Sequence, residues 1–285
     1  LKNVAGRPAL NTQSIEVQLS RRVATVWLAR ERVRNAFNET MIAELDQAFT
    51  ELGTDPGVHA IVLAARGPAF CAGADLDWMQ RVAKYTVDEN RRDAALLARM
   101  LRGIYECPKP VIARVHGDAY AGGIGLIAVC DVAFAASGAH FCLSETRLGL
   151  VPATIGPYVV RAIGERQARR YFLSAERFDA GRAAQIGLVH EAVAAERLDA
   201  AVAEVLEALM QASAEAVAAA KRLVREIAGR PIDEALIADT VERIAAARAS
   251  ADGQEGILSF LHKRKPRWAS ECESQRAAAD DDEEM

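Results

Sequence analysis

One acid stands where a sequence would not normally spend one. Glu145 lies in Phe141-Cys-Leu-Ser-Glu-Thr-Arg-Leu-Gly-Leu150, with Phe141, Cys142, Leu143, Leu148 and Leu150 around it. A carboxyl in apolar surroundings drifts towards the protonated form at neutral pH, which suits general acid–base work. A salt bridge to Arg147, or a solvated loop carboxylate, would explain the same residue without chemistry. Upstream, Gly122-Gly123-Ile-Gly125 follows a β-branched run, Val111 to Val115, and a turn at His116-Gly117-Asp118. A strand, a glycine turn and a helix start make an anion site, because backbone N–H groups converge there without Cβ obstruction. Close packing of helix on strand would call for the same glycines. A third stretch, Phe70-Cys-Ala-Gly-Ala-Asp-Leu76, offers small residues whose backbone N–H groups a ligand can approach.

Other chemistries find no support. His59, His116, His140, His190 and His262 are scattered, without the spacing of a metal site. No GxGxxG follows a strand with a downstream acid, and no GxSxG is present. The net charge of −4 argues against a nucleic-acid partner. Cys71, Cys107, Cys130, Cys142 and Cys272 show no CxxC spacing, so reduced thiols and a cytoplasmic setting are expected. No apolar run is long enough for a membrane span, and the first residues lack the apolar stretch of a secretory signal.

These residues need elements to hold them. Ile15–Leu19 and Val23–Leu28 alternate apolar and polar residues around Ser20-Arg-Arg22, as a hairpin does. Asn38 is placed to cap a helix reaching about Leu52, with Met41, Leu45, Ala48, Phe49 and Leu52 on one face. Ala60–Ala64, Val111–Val115 and Val132–Ala135 read as buried strands. Strands and helices alternating in this way indicate parallel crossover units. Residues 79–107, 196–228 and 231–262 read as helical. The expected domains are an arm at 1–13, a core at 14–199, a helical oligomerisation region at 200–268 and an acidic, disordered tail at 269–285.

With these segments in view the chain resembles the crotonase superfamily, the enoyl-CoA hydratases and isomerases. Four separated matches carry the resemblance: Asn35-Ala-Phe-Asn38, Phe70–Leu76, the Gly122-Gly123 helix start, and Ser144-Glu-Thr-Arg-Leu-Gly-Leu150. It spans roughly residues 14 to 268. It implies an α/β fold, the ClpP/crotonase-like spiral of ββα units with a C-terminal helical region. It also implies a trimer or hexamer acting on an acyl-CoA thioester, with CoA part of the substrate and no separate cofactor.

In that reading Glu145 is the acid–base residue, and the N–H groups of Ala74 and Gly122 hold the thioester oxygen. Val33, Asn35, Ala36, Phe37, Ala72, Gly73, Asp75, Leu76, Gly123 and Gly125 would line the ligand. Arg30, Arg32 and Arg34 would meet phosphates or form a solvated basic loop. Asp118 reads as a turn-forming residue. The family's two-glutamate hydratases carry an acid where this chain has Gly125. That departure leaves three reactions open: hydration of a short or branched 2-enoyl-CoA, the Δ3-Δ2 isomerisation that one glutamate suits, or another acyl-CoA reaction of the fold. A non-catalytic CoA-fold binding protein is a further alternative. The text around Gly125 and Glu145 is most similar to bacterial methylglutaconyl-CoA hydratase-like members of branched-chain catabolism, which puts hydration first.

Overall fold

The structure, a computed structural model, describes residues 12–269. The expected arm and tail lie almost wholly outside them. The chain divides into two compact units. One holds the chain up to Cys107 together with Val111–Ala203; the other holds Pro108–Pro110 and the chain from Glu204 onward.

In the first unit β1 (Ile15–Ser20) and β2 (Val23–Leu28) form the expected antiparallel hairpin. Arg21 and Arg22 both take positive φ, the two-residue turn that suits the twist of a hairpin. Helix α1 (Glu39–Thr54) starts where Asn38 accepts a hydrogen bond from the Met41 N–H, and it buries Met41, Ile42, Leu45, Ala48, Phe49 and Leu52. The wholly buried β3 (Ala60–Ala65) follows. The helical stretch expected over 79–107 is two helices, α2 (Leu76–Val82) and α3 (Val87–Glu106). The break has a local cause: Thr86 and Glu89 form a capping box that begins a new helix.

Next come β4 (Val111–Val115), β5 (Ala119–Tyr120), α4 (Gly122–Ala128), β6 (Val132–Ala136) and β7 (His140–Cys142). Helix α5 (Gly156–Ser174) is kinked at Gly164, and β8 (Phe178–Asp179), α6 (Ala180–Gln185) and β9 (Glu191–Val193) complete the sheets. One sheet has the order β1-β2-β3-β4-β6-β9, parallel after the hairpin. The other has the order β5-β7-β8. Each parallel neighbour demands a crossover, which is why strands and helices alternate. The core between these layers is aliphatic and aromatic, with Phe37, Phe49, Phe70, Phe141 and Tyr171 among its largest members.

The segment Leu198–Met210 forms α7, across the division between the units. The second unit contains α8 (Ala214–Ile227), α9 (Glu234–Ala249) and α10 (Ala251–Leu261). The long helical stretches read from the sequence are thus interrupted, because Ser213 and Ser250 each cap a new helix. Among the described residues no helix is long and apolar enough to cross a membrane.

Candidate active site

Two short segments distant in sequence run side by side. The Phe37 N–H donates to the Gly73 carbonyl (2.7 Å), the Asp75 N–H to the Phe37 carbonyl (2.8 Å), and the Ala72 N–H to the Arg34 carbonyl (2.9 Å). This ladder pairs Phe37 with Ala74 in parallel. The Gly73–Ala74 peptide is planar and trans, so its N–H points opposite to its C=O. With the Gly73 carbonyl turned to Phe37, the Ala74 N–H faces away, and it has no acceptor among the described residues.

The second free donor follows a turn that packs against Gly73. Gly73 leaves no room for a side chain: a Cβ there would meet the Tyr120 carbonyl at 3.2 Å and the Ala121 Cβ at 3.3 Å. Ala121 takes φ 47° and ψ −116°, a strained conformation for a residue with a side chain, at a cost of roughly 1–3 kcal/mol. Its N–H is anchored on the Cys142 carbonyl (2.9 Å). The next residue, Gly122, has an N–H without an acceptor among the described residues. A Cβ on Gly122 would strike the Phe37 ring at 2.9 Å. Phe37 therefore touches both donor positions, pairing with Ala74 through its backbone and with Gly122 through its ring. Gly123 is small because helix α4 crosses directly over Cys71.

The same Ala121–Cys142 bond ties the Gly122 turn to the carboxylate segment, since β7 ends at Cys142 and leads through Ser144 to a 3-10 turn over Glu145–Leu148. The carboxyl of Glu145 is half-buried. No ion pair with Arg147 forms, and the Oε2 atom is buried without a hydrogen-bond partner among the described residues. Burial pushes its pKa up, opposed only by the residue's own N–H.

The expected ligand residues divide in two. Val33, Ala74 and Leu76 are exposed, and Ala72 and Gly122 half-exposed. Asn35, Ala36, Phe37, Gly73, Asp75, Gly123 and Gly125 are buried. Gly125 departs from its expected place. A Cβ there would overlap the Ile155 side chain, with the Ile155 Cβ at 2.9 Å and Leu101 beyond it, so this position packs into the core. Asn35 is fully buried and acts as a latch: its Oδ1 accepts from the Arg30 N–H, and its Nδ2 donates to the Arg66 and Ala69 carbonyls. Arg30 turns inward to the Ala36 carbonyl and Asp75, not outward to a phosphate. Trp78 is buried and donates to Asp93. Asp118 accepts bonds from the His140 N–H, the Tyr120 hydroxyl and Arg177, which is more than a turn residue needs.

The sequence reading missed the Arg30–Asp75 pair and the filling of position 125 by Ile155. The first had a signal, a basic residue at position 30 ahead of Asn35 and an acid just after Ala74. The second had none, since the two residues meet only through the crossing of α4 and α5. Burial pushes the Cys71 thiol up to about 12, which leaves it inert as a nucleophile. Open clefts among α5, β8 and α6, lined by Arg170, Arg177 and Arg182 among others, contain none of the candidate residues. Among the described residues no cluster of His, Cys, Asp and Glu is fit to hold a metal.

Comparison with known proteins gives this geometry a context. The sequence model for "Enoyl-CoA hydratase/isomerase" matches residues 18–271. The crotonyl-CoA hydratase of Syntrophomonas wolfei is 31% identical over 260 residues, 90% of this chain and 98% of its own. Among solved structures, an enoyl-CoA hydratase from Shewanella pealeana aligns with a TM-score of 0.88 at 41% identity, over 90% of this chain and 97% of its own. Another, from Mycobacterium smegmatis, gives 0.85 at 35%, over 90% and 99%. The α/β architecture is therefore that of the crotonase fold.

Proposed function

The chain is an enzyme belonging to the enoyl-CoA hydratase/isomerase family, and from that premise we propose that it adds water across the 2,3 double bond of a 2-enoyl-CoA with a short or branched acyl chain. The observation that carries this reading is the buried, unpartnered Glu145 Oε2, on a segment bonded to the turn that presents the free Gly122 N–H. The Ala74 and Gly122 N–H groups receive the thioester oxygen, where negative charge builds as the β-carbon is attacked. Two preoriented donors there supply on the order of several kcal/mol. Glu145 takes a proton from the attacking water, the water oxygen bonds to the β-carbon, and the electron pair moves through the α-carbon to the thioester oxygen. The same carboxyl then returns a proton to the α-carbon as the carbonyl re-forms. Its raised pKa brings its proton affinity closer to what both steps need. The exposed backbone around Val33 offers a seat for the CoA end, with Asn35, Ala36 and Phe37 supporting it from beneath.

The test is incubation with a panel of 2-enoyl- and 3-enoyl-CoA thioesters, read by mass. Gain of one water on a 2-enoyl-CoA is the expected result. Conversion of 3-enoyl to 2-enoyl-CoA without mass change would replace hydration by the Δ3-Δ2 shift. That second reading is favoured by one observation, that hydrocarbon of Ile155 fills the place of a second acid. The proposal includes self-association to a trimer or hexamer in the cytoplasm. The exposed Leu148, Leu150 and Val151 beside Glu145 speak for a covered surface, and light scattering tests it.

A further inference from the structure

We propose that Arg30 and Asp75 form a positioning clamp that fixes the direction of the Ala74 N–H and so acts on turnover without touching the substrate. The inference rests on the oxyanion reading of Ala74 above. It starts from a buried ion pair: Arg30 Nη2 lies 2.9 Å from Asp75 Oδ2, with side chains 19% and 8% exposed. Such a pair is a weak source of stability, since desolvation offsets most of the attraction. Its value here is geometric. The other guanidinium nitrogen, Nη1, donates to the Ala36 carbonyl. One planar fork therefore joins the 34–37 segment to the 72–75 segment beside the ladder that turns the Ala74 N–H outward.

Each end of the clamp is itself held. The Arg30 N–H is bonded by Asn35 Oδ1. The second Asp75 oxygen accepts from the Asp77 and Trp78 N–H groups and caps α2. Asp75 is thus fixed at its N–H by Phe37, at one oxygen by Arg30 and at the other by a helix start. Ala74 sits between this fully engaged residue and Gly73, whose carbonyl is engaged as well. Ala74 has no side-chain hydrogen bond of its own and is exposed, so its orientation is inherited from these neighbours.

The experiment compares Asp75→Asn, Arg30→Lys and the double variant with Arg81→Gln. Asn keeps a helix cap at position 75 while removing the charge. Arg81→Gln breaks a different anchor of α2, the exposed pair with Glu39, and controls for general loosening of that helix. Displacing a catalytic group by a fraction of an ångström up to 1 Å lowers rate by roughly 10- to 100-fold. We expect that loss in kcat for Asp75→Asn, with KM and CoA affinity within about threefold. Arg30→Lys should fall between Asp75→Asn and the parent, and the double variant should be no worse than the worse single one. Arg81→Gln should keep its kcat.

A readout without turnover accompanies this: the thioester carbonyl stretch of bound acetyl-CoA, followed by isotope-edited infrared spectroscopy. Hydrogen bonds to the oxygen lower that frequency, so the parent should show a lowering that Asp75→Asn reduces. Unchanged kcat and unchanged frequency in folded Asp75→Asn would overturn the clamp, as would an equal loss in Arg81→Gln. Absence of any turnover in the parent would instead count against the proposed reaction, and the infrared comparison would still decide the clamp.

Discussion

Two carboxylates in the first unit have opposite surroundings. Asp75 is buried, yet its pKa is lowered: desolvation alone would raise it, but the Trp78 N–H, Arg30 and the Asp77 N–H outweigh that. Glu145 has its Oε2 atom buried as well, and its pKa is raised, because there burial meets no counter-charge. Desolvation acts on both carboxyls, and only Asp75 has the partners that overcome it. A fully bonded carboxylate is an anchor that holds its charge and its place. One left with an empty oxygen keeps its proton affinity and remains free to exchange a proton. The Ala74 segment, 72–75, is held to 34–37 by several mutual hydrogen bonds, while the Glu145 Oε2 has no partner among the described residues.

A third carboxylate breaks the comparison most severely. Gly125→Glu would put one where neither partner nor outlet exists, against Ile155 and Leu101. Overpacking together with an unpaired buried charge should cost about 4 kcal/mol or more. We expect a variant that is largely insoluble or melts far below the parent, with partial recovery when Ile155→Ala opens the space. A stable Gly125→Glu protein that hydrates faster would show that this face of α4 meets the substrate after all. Next in size is Glu145→Gln, which keeps shape and removes proton transfer. kcat should fall about 10²-fold or more while the fold is retained, as checked by steady-state kinetics and circular dichroism. Turnover near the parent's would take Glu145 out of the chemistry.

Much of this was legible in the sequence, for identifiable reasons. The hairpin, β3, β4 and the Asn38 cap follow from alternation, apolar runs and one side-chain oxygen. Glu145 is visible because charge within apolar text is rare. The pairing of Phe37 with Ala74 could not be read from local sequence, because it joins residues some forty positions apart. Gly125 was misplaced for the same kind of reason. Sequence spacing puts it one turn along from the donor glycine, but the face it presents is decided by how α5 crosses α4. Asn35 reads as a ligand contact from its motif, and its side chain also forms a latch with three bonds, which the sequence did not show. Asn35→Ala should therefore lower stability by about 2–4 kcal/mol, through unsatisfied buried backbone groups, and denaturant melts measure it. A loss under about 0.5 kcal/mol would mean that these backbone groups find other partners.

The smallest expected effect is the most direct comparison of Asp75 with Glu145, because it reads both in one titration of stability. Between its lowered folded pKa and its ordinary value near 3.9, Asp75 binds fewer protons in the folded chain than in the unfolded one. Its contribution is therefore present above that ordinary value and is lost as pH falls through the folded pKa. Glu145 has the other sign. Between its ordinary value near 4.3 and its raised folded pKa, the folded chain binds more protons, so stability is lost as pH rises through that window. Melting temperatures of the parent, Asp75→Asn and Glu145→Gln from strongly acidic to neutral pH, a range that reaches below the ordinary Asp value of about 3.9, should then diverge in opposite directions. Asp75→Asn should lie below the parent at neutral pH and approach it as the solution is acidified. Glu145→Gln should gain on the parent as pH rises from about 4 towards neutrality. Such a gain in stability, coupled to loss of turnover, is what an unpaired functional carboxyl produces. Parallel curves for the two variants would mean that both carboxylates have partners alike, and that the difference drawn between anchor and reactive group does not hold in solution.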